Sequence, residues 1–169
     1  MKRPALSIAL ALAASLVLTI TAAASSTYME WIHGGELPNA TPTEGQFVGE
    51  ATGSFAGTWY IDVQHQDLSH HPAYITGGSF RLDTVINGWP NTIRGTFTPW
   101  QGTVAQLSGF TGCTNQQFAV NGELSGVGVG GGGGSGSFKA TLTHYRANIW
   151  FVGCVVYSAS VSGTVSLTF

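Results

Sequence analysis

The sequence predicts an all-β fold, a small antiparallel β-barrel of about six to eight strands, with a β-sandwich as the alternative. Three observations predict it. From residue 52 onward, apolar residues alternate with polar residues at period two, which is typical of half-buried strands. No stretch after residue 24 shows the apolar stripe of an amphipathic helix. Glycines recur on the apolar faces, where they permit the bends and close backbone approaches that a strongly curved barrel needs.

Residues 1–24 have the pattern of an export signal. Lys2 and Arg3 give a basic start, an apolar run follows, and the segment ends in Ala22, Ala23 and Ala24. A basic start, an apolar centre and small residues before the cleavage position are what the export machinery recognises. A retained membrane anchor is the alternative, because a run of about 20 apolar residues is long enough to span a bilayer. We expect a cleaved signal peptide, and therefore a secreted, extracellular or periplasmic protein without a membrane span.

The chain that remains after cleavage is acidic and lightly charged. Without Lys2 and Arg3, four basic residues face eight carboxylates, so the net charge changes from −2 to −4. A protein that binds nucleic acid needs a basic face that displaces counterions from phosphates. We therefore do not expect a nucleic-acid partner.

The two cysteines, Cys113 and Cys154, suit an oxidising compartment. In a small exported domain such a pair is most simply a disulfide, with a metal pair or free thiols as the alternatives. Closing a loop of roughly 40 residues stabilises a fold by about 4 kcal/mol in the chain-entropy model. We predict a structural disulfide between them.

The order of elements follows from where the alternation begins. Residues 25–50 hold glycines, prolines and few apolar anchors, so we expect an irregular, extended N-terminal arm there, one that could pair at a sheet edge. Residues 51–169 are predicted to form the barrel domain. Its clearest strands are 52–64, 79–86, 92–98, 117–125, 137–146 and 155–169, with 100–107 and 147–152 as weaker candidates. The glycine-rich run 128–137 leads into another strand rather than a helix, so we interpret it as a hairpin connection and not as a phosphate-binding loop.

One loop offers weak candidates for metal ligands. His65, His70 and His71 lie close together in sequence, with Asp67 between them. Imidazoles and a carboxylate are ligands of open zinc or copper sites, but this spacing matches no closed ligand pattern. We assign no metal and no cofactor.

His144 and Arg146 are the polar residues that alternation turns inward. Both fall on the same face as the apolar Ala140 and Leu142. A guanidinium on an inward face is costly unless it is paired, stacked or at a strand end. By the same alternation no carboxylate faces inward to pair with it. One interpretation is that His144 and Arg146 close the end of the barrel. The other is that they are polar groups lining a ligand cavity.

The segment Phe55-Ala56-Gly57-Thr58-Trp59-Tyr60 resembles the Gly-x-Trp opening strand of the calycin barrels, the lipocalins and avidins. The resemblance implies that Trp59 packs at the closed end of a barrel beneath a late arginine, and Arg146 is the residue that matches. Two strand candidates follow Arg146, which departs from the lipocalin pattern, and the biotin-contacting residues of avidins have no counterparts. The glycine-punctuated hairpins also resemble allene oxide cyclase barrels. Both resemblances imply a small barrel that holds an apolar ligand.

We therefore expect a secreted barrel that binds a small hydrophobic molecule, with Trp59, His144 and Arg146 as ligand-binding residues. A cell-surface or extracellular interaction module is the first alternative, and its contact residues would be aromatics expected to be exposed: Tyr60, Tyr145, Trp89 and Trp100. A cofactor-independent cyclase or isomerase is the second. No nucleophile elbow, zinc helix or paired inward carboxylates are present in the sequence, so we assign no catalytic residue.

Overall fold

The computed structural model describes residues 25–38 and 41–169, and it shows a closed antiparallel barrel of eight strands in sequential order. The strands are β1 Thr27–Glu36, β2 Glu44–Gly53, β3 Gly57–His65, β4 Ala73–Ile86, β5 Trp89–Ser108, β6 Gln116–Val129, β7 Gly134–Ile149 and β8 Gly153–Thr168. β1 pairs with both β2 and β8, which closes the sheet on itself. The prediction of a barrel is confirmed and the sandwich is excluded. The expected signal peptide, residues 1–24, lies outside the described residues.

The expectation of an irregular arm at residues 25–50 is wrong, because β1 and most of β2 fall there. The alternation of apolar and polar residues is not visible in β1, because Glu30 points into the barrel while Met29 and Trp31 are exposed. The alternation is not visible in β2 either, because glycine and alanine occupy most of its inward positions. Neither strand shows the apolar face on which alternation is normally recognised.

Neither of the two weaker candidates is a strand of its own. The predicted strands 92–98 and 100–107 are parts of the single strand β5, which bends where its pairing with β6 shifts register. Residues 147–152 are not a separate strand, since they complete β7 and form its turn into β8. The glycine-rich run connects β6 to β7 as a hairpin, as predicted.

The ring of Trp59 on β3 fills a space that glycine leaves open on a neighbouring strand. Its ring is fully buried, and Nε1 donates to the carbonyl oxygens of Glu50 at 3.0 Å and His33 at 3.3 Å. A Cβ built on Gly34 would lie 2.8 Å from Trp59 Cζ2 and closer still to the Val48 carbonyl oxygen. Gly34 therefore lets β1 and β2 pack around the indole.

The two ends of the barrel differ. At what we call the closed end, where the β2–β3, β4–β5 and β6–β7 turns lie, the rings of Tyr28, Phe55 and Phe169 contact one another at centroid distances of 4.8 to 5.9 Å. The other four connections lie at what we call the open end. There Cys113, in the β5–β6 connection, forms the predicted disulfide with Cys154 of β8, with Cα atoms 5.5 Å apart.

Within the part of the chain that the structure describes, no helix is long and apolar enough to cross a membrane.

Candidate functional site

The open end of the barrel contains a cavity of about 450 Å³. Its deeper wall is apolar and comes from inward positions on five strands: Phe47, Val63, Val104, Phe118, Val120 and Leu142. Its mouth is formed by Leu37 and Pro38 after β1, Leu68 in the β3–β4 connection, and the start of β8 from Val156 to Ala159. The aromatic residues of the core fill the rest of the barrel, while this end stays hollow.

A histidine–carboxylate pair interrupts the apolar wall. His144 Nε2 lies 2.8 Å from Glu36 Oε2, and both side chains are more than four-fifths buried. The Phe118 ring packs against the imidazole at a centroid distance of 5.3 Å. The prediction that no carboxylate faces inward is therefore wrong, because Glu36 was assigned to the arm rather than to the inward face of β1.

The polar part of the lining carries an excess of negative charge. Glu36 and Glu44 both line the cavity, together with His65 and His144, and among the described residues that line it there is no lysine or arginine. Glu44 Oε1 accepts a hydrogen bond of 2.7 Å from Gln46 Nε2. On the neighbouring strand, burial raises the pKa of Asp62, and the charge of Glu44 raises it further. A further negative charge close to Glu44 is therefore disfavoured.

Arg146 does not line this cavity. A register shift after Tyr145 alters its direction, its guanidinium donates to the Gly112 carbonyl oxygen at 3.4 Å, and its backbone N–H donates to Asn115 Oδ1 at 3.1 Å. Trp59 lies near the start of β3 and Arg146 near the end of β7, so the two residues are in opposite halves of the barrel. The expectation that Arg146 covers Trp59 at the closed end is therefore wrong. Of the three expected ligand-binding residues, His144 alone lines the cavity.

The loop histidines are held by local backbone groups. His65 lines the cavity, and its Nδ1 lies 2.7 Å from the Gln66 carbonyl oxygen. His70 Nδ1 lies 3.2 Å from the Asp67 carbonyl oxygen, and His71 is exposed. The described residues contain no group of three or more metal-ligating side chains placed to hold an ion.

The aromatics expected to form an interaction surface are dispersed. Tyr60, Trp89 and Trp100 are exposed, while Tyr145 is partly buried and contacts Tyr157. They lie on three different strands, and within the described residues no ring contact joins any two of the four.

A second buried carboxylate lies near the closed end. Glu30 is fully buried; its Oε1 accepts a 2.9 Å hydrogen bond from the Phe55 N–H, whereas its Oε2 has no partner among the described residues. Burial raises the pKa of Glu30 above its ordinary value of 4.5, although the N–H groups of Phe55 and Ser54 act in the opposite direction. Sequence patterning missed this residue because an acid inside an apolar barrel breaks the pattern.

Glu30 should make stability depend on pH. A carboxyl whose pKa is higher in the folded state contributes stability that is complete below the unfolded value, and it loses this contribution as pH rises through the folded pKa. We expect the stability of Glu30→Gln, relative to the original protein, to rise as the pH is raised above 4.5 in urea unfolding.

Asp83 supplies the control for that measurement. Its pKa is lowered, first by the hydrogen bond from Arg81, so its contribution has the opposite sign and is lost as pH falls. Asp83→Asn should therefore differ from the original protein by a nearly constant amount above pH 4.5, and by less as the pH falls below 3.8. A difference between Glu30→Gln and the original protein that stays constant with pH would contradict our account of Glu30.

The lining of the cavity suits a ligand that is mostly apolar and carries one polar group. His144 Nε2 is held by Glu36, and its Nδ1 has no hydrogen-bond partner among the described residues. Nδ1 can therefore exchange a hydrogen bond with a molecule in the cavity, as a donor or an acceptor according to its protonation.

Comparisons of the chain with protein-family models, curated proteins and solved structures find no match.

Proposed function

We propose that this protein is an exported barrel that binds a small, mainly apolar molecule in its open-end cavity. The observation that carries the proposal is the apolar wall around a single histidine–carboxylate pair. Ligand sites are typically concave, mostly apolar and about 300–1,000 Å³ in volume, with a few polar groups that fix orientation. A volume of about 450 Å³ suits a molecule of one or two rings or a short chain. The disulfide Cys113–Cys154 is compatible with export.

The charges at the mouth narrow the ligand class. Two carboxylates, Glu36 and Glu44, line the cavity without a lysine or arginine among the described lining residues. An anion such as a fatty acid would enter against this charge and lose its hydration without gaining a guanidinium or ammonium partner. The polar end of the ligand is therefore neutral or cationic.

Two fluorescent probes test both parts of the proposal. N-phenyl-1-naphthylamine is neutral and apolar, and 8-anilino-1-naphthalenesulfonate is the same framework with a sulfonate added. We expect the neutral probe to bind with a stoichiometry of one and the sulfonate to bind at least roughly tenfold more weakly, which corresponds to about 1.4 kcal/mol. Fluorescence titration measures both affinities.

A matched pair of variants locates the site. Ala159 lines the cavity, so Ala159→Trp should fill part of it and lower the affinity for the neutral probe at least roughly tenfold. Ser162 is exposed on the same strand, so Ser162→Trp adds the same ring outside the barrel and should leave affinity unchanged. Thermal unfolding of both variants checks that each is folded.

Equal affinity in Ala159→Trp and Ser162→Trp would show that the probe binds elsewhere and would overturn the assignment of the cavity. Equal affinity for the two probes would overturn the neutral or cationic class while leaving the cavity in place.

The His144–Glu36 pair also favours a second candidate, proton transfer within a bound substrate. A histidine held by a carboxylate inside a cavity is a common general base, and cofactor-independent isomerases need little else. His144→Gln separates the two candidates. Binding alone predicts a changed affinity for the natural molecule and an unaltered compound after incubation. Catalysis predicts a product, found by mass spectrometry, that the variant does not form.

A further inference from the structure

The hairpin between β7 and β8 projects beyond the barrel wall. Pairing of β6 with β7 ends at Gln116 and His144, and pairing of β1 with β8 ends at Gly34 and Val161. β7 nevertheless continues to Ile149, five residues further, which extends the hairpin by about 16 Å at the usual rise per residue. The disulfide ties the hairpin, at Cys154 next to its turn, to the β5–β6 connection.

The end of this hairpin consists of four exposed apolar residues, Ile149, Trp150, Phe151 and Val152, which we call the apolar tip. Trp150 is 85% exposed and Phe151 is 93% exposed, and their rings stack in parallel at 4.9 Å. Large apolar side chains this exposed contribute almost nothing to the core. Soluble proteins rarely expose a contiguous apolar group of this kind without a partner.

Phe151 adopts a backbone conformation that does not favour its own side chain. Its φ is 71°, in the left-handed region where glycine is preferred and a bulky residue is strained. Folding alone would be served better by glycine at this position. An aromatic ring kept at a strained and exposed position indicates selection for what the ring contacts outside the fold.

The apolar tip itself is uncharged, and the nearest charged residue along the chain is Arg146 on the same hairpin. The chain carries no charged residue after Arg146, and none between Arg94 and Glu123 on the linked β5–β6 hairpin, which adds the exposed Leu107 and Phe110. An uncharged, projecting group of Trp, Phe and aliphatic residues matches the interface of a neutral bilayer, where such side chains partition and where a charge would be costly. Its four residues are far fewer than the roughly 20–30 residues that each partner contributes to a stable protein interface.

We propose that the apolar tip inserts into the interfacial region of a neutral phospholipid bilayer. The tip lies at the same end as the cavity, and Val156 and Tyr157, which continue from it along β8, line the cavity mouth. Insertion therefore brings the mouth of the cavity close to the membrane surface. The bilayer contact itself does not require a ligand in the cavity.

Flotation of the full chain with vesicles of palmitoyl-oleoyl-phosphatidylcholine tests this proposal. The variant Trp150→Ser with Phe151→Gly removes both rings and places glycine at the left-handed position. We expect its partition coefficient to fall at least roughly tenfold, because binding strength scales with buried apolar area. Its thermal stability should not fall. The N-terminal segment is common to all variants, so the difference between them reports on the tip.

Trp89 provides the matched control, since it is 74% exposed at the start of β5, at the opposite end of the barrel. Trp89→Ser should bind vesicles as the original protein does. Equal partitioning of the Trp150/Phe151 variant and the original protein would overturn the proposal. The proposal would also be overturned if the protein did not bind vesicles but self-associated through the tip in a concentration-dependent way in sedimentation. The partner of the tip would then be a second copy of the chain. The vesicles contain no cavity ligand, so the result is independent of the probe titration.

Discussion

Replacing Trp59 with alanine is expected to lower the free energy of unfolding by about 3–5 kcal/mol, the usual cost of removing a buried tryptophan from a core. The indole is fully buried, and its Nε1 hydrogen bonds to the His33 and Glu50 carbonyl oxygens are lost with it. The space cannot close easily, because Gly34 and Gly49 beside it have no side chains that could move in. Urea unfolding followed by circular dichroism measures the loss.

Trp89→Ala is the control for Trp59→Ala, because Trp89 is exposed at the start of β5. A change at an exposed position away from caps and networks usually stays within about 0.5 kcal/mol. If Trp59→Ala cost less than about 1 kcal/mol, the indole would not be the core residue that its burial indicates.

Removing the disulfide is expected to have an effect of similar size. The bridge spans 41 residues, and opening a loop of that length costs about 4 kcal/mol in the chain-entropy model. The double variant Cys113→Ser and Cys154→Ser should lose this amount in urea unfolding at constant pH.

The original protein kept in a thiol reductant is the matched comparison. Its unfolding free energy should fall to that of the double serine variant, because both lack the same cross-link. A double variant as stable as the oxidised protein would show that the bridge does not constrain the unfolded chain.

The sequence was sufficient for the strands whose inward faces are apolar. Trp59, Ile61 and Val63 alternate on β3, and their period survives because neighbouring outward positions are polar. β1 was missed because its inward face carries Glu30 and Glu36. Such acids are placed by tertiary burial, which local hydrophobic patterning does not detect.

The candidate site could be predicted only in part for the same reason. Alternation identified His144 as inward, but its partner Glu36 is 108 residues away and reaches it only because β1 and β8 close the barrel. The sequence did contain enough information to place Trp59 and Arg146 at opposite ends of the barrel. Antiparallel order makes the third and seventh strands run in the same direction, so the start of one and the end of the other cannot share a barrel end.

The position of the bound neutral probe tests the central proposal most directly. In a titration with N-phenyl-1-naphthylamine followed by nuclear magnetic resonance, we expect shifts in the methyl groups of Val104 and Leu142 and in the His144 ring. Val165, buried deeper in the barrel, should not respond. Shifts confined to the apolar tip, or saturation of the probe without any shift at His144, would contradict a ligand site in this cavity.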